Sequence, residues 1–342
     1  LTITAQDTYA NVVTSYAGTK SMTFSGASAS PGGNLPTVTD SGGEADAFGT
    51  ATAIEFVAGV ASTDGSSNGE MRLYKSAASS IKVTEGSISS ATVSVTPVIG
   101  PTARFGLGAS TTAPAAGANV NLTTTAQDAY GNTTTAYSGA HGIVFSGASA
   151  SPAGTLPTVV SSSGTAVALG GETSLSFTNG VAAVASSKNG LLKLYDAEVV
   201  SLSASDGTVS TAPPVTITVS PTTASKLALV NVAKSAGSLS ATCYFTCTLT
   251  GLGNSGTLKA GVAVTDTYGN VVSGIGTGHS VTVSSSGGSV SGGSFAMPSS
   301  GAAETSARFT YTAPSSGAYT NTITAAATAG TAYTSATATA SR

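Results

Sequence analysis

The feature that most limits what this chain can become is that a long stretch of it occurs twice. Phe24-Ser25-Gly26-Ala27-Ser28-Ala29-Ser30-Pro31 returns residue for residue as Phe145-Ser146-Gly147-Ala148-Ser149-Ala150-Ser151-Pro152, an offset of 121 (145 − 24). The same offset relates Leu35-Pro36-Thr37-Val38 to Leu156-Pro157-Thr158-Val159, Asn68-Gly69 to Asn189-Gly190, and Leu73-Tyr74 to Leu194-Tyr195. Self-similarity at a fixed period means structural units of one kind laid in a row. A shorter motif extends the series to a third unit: Asp7-Thr8-Tyr9-Ala10-Asn11, Asp128-Ala129-Tyr130-Gly131-Asn132 and Asp266-Thr267-Tyr268-Gly269-Asn270.

Each copy of the motif follows a short apolar/polar alternation, such as Val120-Asn121-Leu122-Thr123-Thr124, and is followed by small β-formers. A strand, an Asx-type turn and a second strand are therefore expected. The Asp and Asn side chains can hydrogen-bond the turn backbone, and Gly or Asn tolerates positive φ there. The Tyr is expected to offer one large apolar face to a core otherwise built from small residues.

Composition narrows the class. At 342 residues the length suits two or three domains, and the motif count selects three. Charged residues are 8% against the usual quarter, so Ser, Thr, Asn and Gly must supply the polar surface. Apolar residues at period two argue against disorder. The net charge is −3 and the 12 basic residues are scattered, which excludes a phosphate-binding stripe and hence nucleic acid. No apolar run approaches the roughly 18 residues that cross a bilayer, so membrane insertion is not expected. The chain starts at Leu1 and reads as a processed or partial product.

In unit one, strands are expected near 1–6, 12–25, 52–57, 59–63, 70–75, 79–84 and 91–96. Residues 26–50, like 147–171 in unit two, form a Gly/Ser/Pro-rich excursion, with a short strand at Pro36-Thr37-Val38. Prolines near 97–101 and 221–224 close the first two units; linkers this short favour a semi-rigid string. The expectation is an all-β chain of three tandem β-sandwich domains, 1–99, 100–222 and 223–342, with negligible helix. The first is incomplete. Unit two opens with Ala103-Arg104-Phe105-Gly106-Leu107-Gly108 and unit three with Ser225-Lys226-Leu227-Ala228-Leu229-Val230, whereas Leu1 already aligns with Leu122. Unit one is therefore expected to take its opening strand from outside these residues, or from a neighbouring copy.

The Asp-x-Tyr-Gly-Asn turn after a short strand resembles bacterial immunoglobulin-like repeats. So does the run Phe309-Thr310-Tyr311-Thr312-Ala313-Pro314 followed by Gly317-Ala318-Tyr319-Thr320-Asn321-Thr322-Ile323-Thr324-Ala325. Such repeats are the modules of invasin- and intimin-type surface proteins. The resemblance implies an immunoglobulin-like sandwich outside the cell, used as a spacer, stalk, adhesin or assembly unit. The excursions at 26–50 and 147–171 depart from the usual pattern of that family.

Candidate sites are few. Cys243 and Cys247 are spaced Cys-Tyr-Phe-Thr-Cys. Four residues of extended strand span about 13 Å, whereas a disulfide needs Cα atoms about 5–6 Å apart, so a bridge requires a turn there. A local disulfide is expected, with reduced core thiols as the alternative, and it would mark an oxidising compartment. The turn residues Asp7, Asn11, Asp128, Asn132, Asp266 and Asn270 could offer oxygens to Ca²⁺, but two per turn without an acidic cluster point to turn stabilisation and no metal. His141 and His279 both stand 13 residues after the turn Asp, where unit one has Lys20 (20 − 7 = 13). A half-exposed polar position is expected there. With two histidines in different units and no Trp, no catalytic residue and no cofactor are expected. Asn121 and Asn132 fit the N-glycosylation triplet, which arises readily in a Thr-rich chain.

These readings converge on a non-catalytic extracellular building block of a surface filament, surface layer or stalk, whose partners are copies of itself or further repeats. A surface of low charge suits close packing, because little charge is desolvated at contacts. Two alternatives stand beside it: an adhesin whose loops at 26–50 and 147–171 touch a glycan or protein, and accessory domains of a secreted enzyme.

Overall fold

The computed structural model describes residues 1–234, 245–297 and 308–342. Among these residues there is no α-helix, and the chain is all-β. Period-two patterning decides which face each strand buries. In Asn119–Gln127, Val120, Leu122, Thr124 and Ala126 point into the core while Asn119 and Asn121 face water.

Unit two is the fullest copy. One sheet runs Arg104–Ala109, Asn119–Gln127, Leu191–Lys193, Thr158–Val160, Ala166–Ala168, with Val181–Ala183 also paired to Asn119–Gln127. The second runs Glu172–Phe177, Gly139–Ser146, Val199–Ser205, Val215–Thr218. Phe105, Leu122, Ile143, Phe145, Leu175 and Leu202 fill the space between them, each contributing about 1.5–3 kcal/mol through burial. Tyr137 edges onto Phe177 at 4.9 Å and donates its hydroxyl to Asp206 at 2.7 Å. Unit one repeats the arrangement at the same offset with Tyr16, Phe56 and Glu85.

Unit three keeps two sheets but not the excursion. Lys226–Lys234, Thr257–Thr265, Arg308–Thr312 and Ser289–Ser291 form one; Thr246–Leu249, Ala336–Ser341, Thr320–Ala329, Ser280–Ser285 and Ser294–Ala296 form the other. Thr246–Leu249 joins Ala336–Ser341 in parallel. Among the described residues the buried apolar side chains fall into three clusters, one within each unit.

In unit one the sheet of Val93–Val95, Ser79–Glu85, Gly18–Ser25 and Ala51–Phe56 is continuous. Its partner sheet is in two pieces: Thr2–Thr4 with Val60–Ser62, and Ala45–Ala47, Thr37–Thr39, Met71–Arg72. In unit two these pieces are joined because Asn119–Asn121 pair with Leu191–Lys193. The aligned positions would precede Leu1.

Several expectations need correction. Val12 and Val13 are β-formers, yet the strand begins only at Gly18. Val13 N–H bonds Ala5 O at 2.9 Å and Tyr16 N–H bonds Val13 O at 3.0 Å, which closes the turn there. The excursion at 26–50 holds the expected short strand as Thr37–Thr39, and a second, Ala45–Ala47, which pairs with it beside Met71–Arg72. His141 is half-buried and stacks on Tyr137 at 3.9 Å. His279 is buried instead, with Nε2 against Ile275 O and Nδ1 accepting from Thr331 N–H.

Candidate functional site

The three Asp-x-Tyr-x-Asn turns share one internal geometry. Asp128 Oδ1 accepts from the N–H groups of Tyr130 and Asn132, both at 2.9 Å, and Asn132 Nδ2 donates to Asp128 Oδ2 at 2.9 Å. Asp266 does the same with Tyr268 and Asn270, and Asp7 with Tyr9 and Asn11. These N–H donors occupy the carboxylate oxygens that a cation would use. The Asp7 carboxyl is held below its ordinary value, first by the Asn11 side-chain amide and then by backbone N–H groups.

Beyond the turns themselves, the second and third are the joints of the chain. Asn132 reaches across to unit one, where Nδ2 donates to Tyr74 O at 2.8 Å and Oδ1 accepts from Ser76 N–H at 2.9 Å. Asn270 repeats this on unit two, with Tyr195 O at 2.8 Å and Ala197 N–H at 2.8 Å. A planar amide offering one donor and one acceptor can clip two backbone groups at once. Above the clip, Tyr130 lies on Tyr74 at 4.8 Å and Tyr268 on Tyr195 at 4.9 Å, tilted by 56° and 57°. The excursion of the preceding unit closes the joint: Gly32 N–H bonds Tyr130 O at 2.8 Å, and Ala153 N–H bonds Tyr268 O at 2.9 Å. The linker is tied in as well, with Gly100 N–H to Asp128 Oδ2 at 3.3 Å and Thr222 N–H to Asp266 Oδ2 at 3.0 Å.

The motif tyrosines differ in what they meet: Tyr268 packs against a core cluster, that of the preceding unit, whereas Tyr9 and Tyr130 join none. Tyr130 and Tyr268 pack on the neighbouring unit's tyrosine, and Tyr9 is 85% exposed among the described residues. The excursions at 26–50 and 147–171 are likewise engaged at one end by the next unit's turn, which leaves less of each free for a ligand. Asn132 is unsuited to glycosylation in the folded chain, because it is 4% exposed and its amide nitrogen is spent on Tyr74 and Asp128. Asn121 is exposed on the strand Asn119–Gln127. Cys243 and Tyr244 lie outside the described residues, and with them the start of the turn expected before Cys247.

The two joints differ in charge. Asp128 sits below the ordinary carboxyl value: burial pushes it up, but the Asn132 amide and the N–H groups of Asn132, Tyr130 and Gly100 outweigh that. At the second joint Asp196 aligns with Lys75 of the first (196 − 121). Its carboxyl is pushed up by burial first, then by the charges of Glu198 and Asp266.

The fold and the joints define a class, a tandem all-β repeat chain whose units are clipped end to end by one recurring turn. No family model matches the chain, and no curated protein matches it. Among solved structures it is similar to FdeC, an adhesin of Escherichia coli, at 15% identity over 98% of this chain and 89% of that one, with a TM-score of 0.28. It is also similar to domains 4–9 of the surface layer protein SbsC, at 14% identity over 95% of this chain and 48% of that one, TM-score 0.21. Fibronectin(III)-like modules of CbhA from Clostridium thermocellum match at 13% identity over 69% of this chain and 93% of that one, TM-score 0.17. Likenesses of this size say nothing of what this chain binds.

Proposed function

We propose that the chain is a non-catalytic, extracellular structural protein whose immunoglobulin-like domains, 1–99, 100–222 and 223–342, form a semi-rigid string that builds a surface filament, surface layer or stalk. The observation that carries this reading is the clip made twice with the same atoms, by Asn132 on Tyr74 and Ser76 and by Asn270 on Tyr195 and Ala197. Two hydrogen bonds to the neighbour's backbone, a tilted tyrosine pair and a linker bond at each joint oppose free hinging. A surface with 8% charged residues favours lateral packing of such strings. Its partners are further repeats or other copies, without metal or cofactor.

The adhesin reading is weaker, because Gly32 and Ala153 of the two excursions face the next unit. Negative-stain microscopy tests the proposal: straight rods that associate into ordered polymers as concentration rises, unchanged by chelator, are expected. Freely jointed monomers at every concentration would remove its basis.

A further inference from the structure

The clip has two halves: a turn that reaches back, and an outer end of the preceding unit that receives it. Unit two shows what receiving requires. Tyr195 O and Ala197 N–H meet Asn270 at 2.8 Å each, and the Tyr195 ring packs on Tyr268 at 4.9 Å. Ala153 N–H bonds Tyr268 O at 2.9 Å. Gly117 leaves space for the arriving ring, since a Cβ there would stand 2.8 Å from Tyr268 Cζ. Strand register carries these positions onto unit three. Asn119 pairs with Lys193 as Thr257 pairs with Thr312, and Asn119 and Thr257 both stand nine residues before the turn Asp (128 − 119 = 266 − 257 = 9). Tyr195 thus corresponds to Pro314, Ala197 to Ser316 and Gly117 to Ser255.

Every receiving element is changed in unit three. Pro314 has no ring to stack, and its carbonyl already accepts Ser255 N–H at 2.9 Å. Ser255 holds at φ 57° the backbone that Gly117 holds at φ 77°, so it carries the Cβ that a tyrosine arriving as Tyr268 does would strike. Strand Ser280–Ser285 passes to Ser289–Ser291 through residues 286–288, where unit two has 147–157 and with them Ala153. No excursion is left there to bond a tyrosine carbonyl. These are differences in unit three's own residues, whatever lies beyond them. The surface in their place is small and polar, with Ser255, Ser315 and Ser316 exposed. Among the described residues, the exposed large apolar side chains run from Leu1 to Val199, and unit three has none. In an array of repeats, an atypical end unit with a polar outer face caps the series.

We propose that unit three is the capping unit of the clipped series: its outer end receives no further unit of this kind, and end-to-end growth through the clip stops there. A unit joined beyond it hangs on its linker alone. This rests on the clipped string proposed above and gives that string a direction, with clips made up to unit three and not past it.

Two extended chains test this. The first appends a second copy of residues 220–342 to Arg342, whose N–H bonds Tyr319 O as Val219 N–H bonds Glu198 O, so the added unit starts in register. The second inserts an extra copy of residues 100–222 after residue 222, so that unit two follows unit two. In the second chain the Ala197 amides of both unit two copies should be equally protected from exchange, because each outer end is clipped. In the first chain the Ser316 amide of the inner unit three should keep its parent rate, about tenfold or more faster than Ala197 of the same chain. Spin labels across the added joint should give a narrow distance distribution between the unit two copies and a broad one between the unit three copies. A Ser316 amide slowed as Ala197 is, or a narrow distribution between the unit three copies, overturns the cap. So does a broad distribution between the unit two copies, since the differences at the outer ends would then decide nothing. An unprotected Ala197 in the parent chain would instead overturn the string itself, which keeps the two failures apart.

Discussion

Asn132 holds Tyr74 from the next unit along: its side-chain nitrogen donates to the Tyr74 carbonyl at 2.8 Å while its oxygen takes the Ser76 N–H at 2.9 Å. The same residue ties its own turn through Asp128. One side chain thus stabilises a local turn and locks two units together. Asn270 does so again, with Tyr195 and Ala197.

Asn132→Ala and Asn270→Ala should each loosen one joint and spare the other. Each removes two interunit bonds and leaves a half-buried carbonyl and N–H unpaired, a loss of about 1–3 kcal/mol at the joint. Amide exchange at Ser76 or Ala197 reads the effect directly. Equal exchange at both joints in either variant would break the assignment.

Gly117 offers a second handle on the third unit's joint. It sits at φ 77°, and a Cβ there would press on the Tyr268 hydroxyl and stand 2.8 Å from the ring carbon Cζ. Gly117→Ala should destabilise more in the parent than in a Tyr268→Ala background, because only part of its cost is backbone strain. Identical costs in both backgrounds would mean that the ring does not rest on Gly117.

The joints should respond to acid in opposite senses. Asp128 has a folded value depressed below the model-compound 3.8. Its contribution is present above the unfolded value and is lost as pH falls through the folded one, below about pH 4. Asp196 is raised above 3.8. Its charge opposes the folded joint at neutral pH, and stability is regained as pH falls through that raised value. Mild acidification should therefore tighten the unit two–three joint before stronger acid loosens the unit one–two joint. Asp196→Asn should abolish the first effect. Parallel pH profiles of amide protection at Asn132 and Asn270 would contradict this.

Cys243 and Cys247 should be bonded to each other. Intact mass of the peptide carrying both, taken without reductant, should be lower by about two hydrogens than after reduction. Alkylation of both thiols in native protein would refute the bond.

Much of this architecture was legible in the sequence, since period two, turn residues and the offset of 121 are local or self-referential signals. The stretch before Gly18 was misread because Val12 and Val13 favour strands intrinsically, and only pairing with the 5–6 segment turns them away. What the motif tyrosine meets was harder to read, because its contact lies in another unit, where no local pattern reaches. A signal did exist. Leu-Tyr recurs at 73–74 and 194–195 but has no counterpart in unit three, where register against Leu258 puts Pro314 at the aligned position. These two loops meet the second and third turns, and the first turn carries Ala10 instead of glycine.

Interunit distance measured by double electron–electron resonance tests the central claim most directly. Spin labels at exposed Ser87 in unit one and exposed Ser316 in unit three span both joints. A narrow distance distribution is predicted for the parent, broadening markedly when Asn132→Ala and Asn270→Ala are combined. A distribution already broad in the parent, or one unchanged in the double variant, would contradict a string held straight by its two asparagine clips.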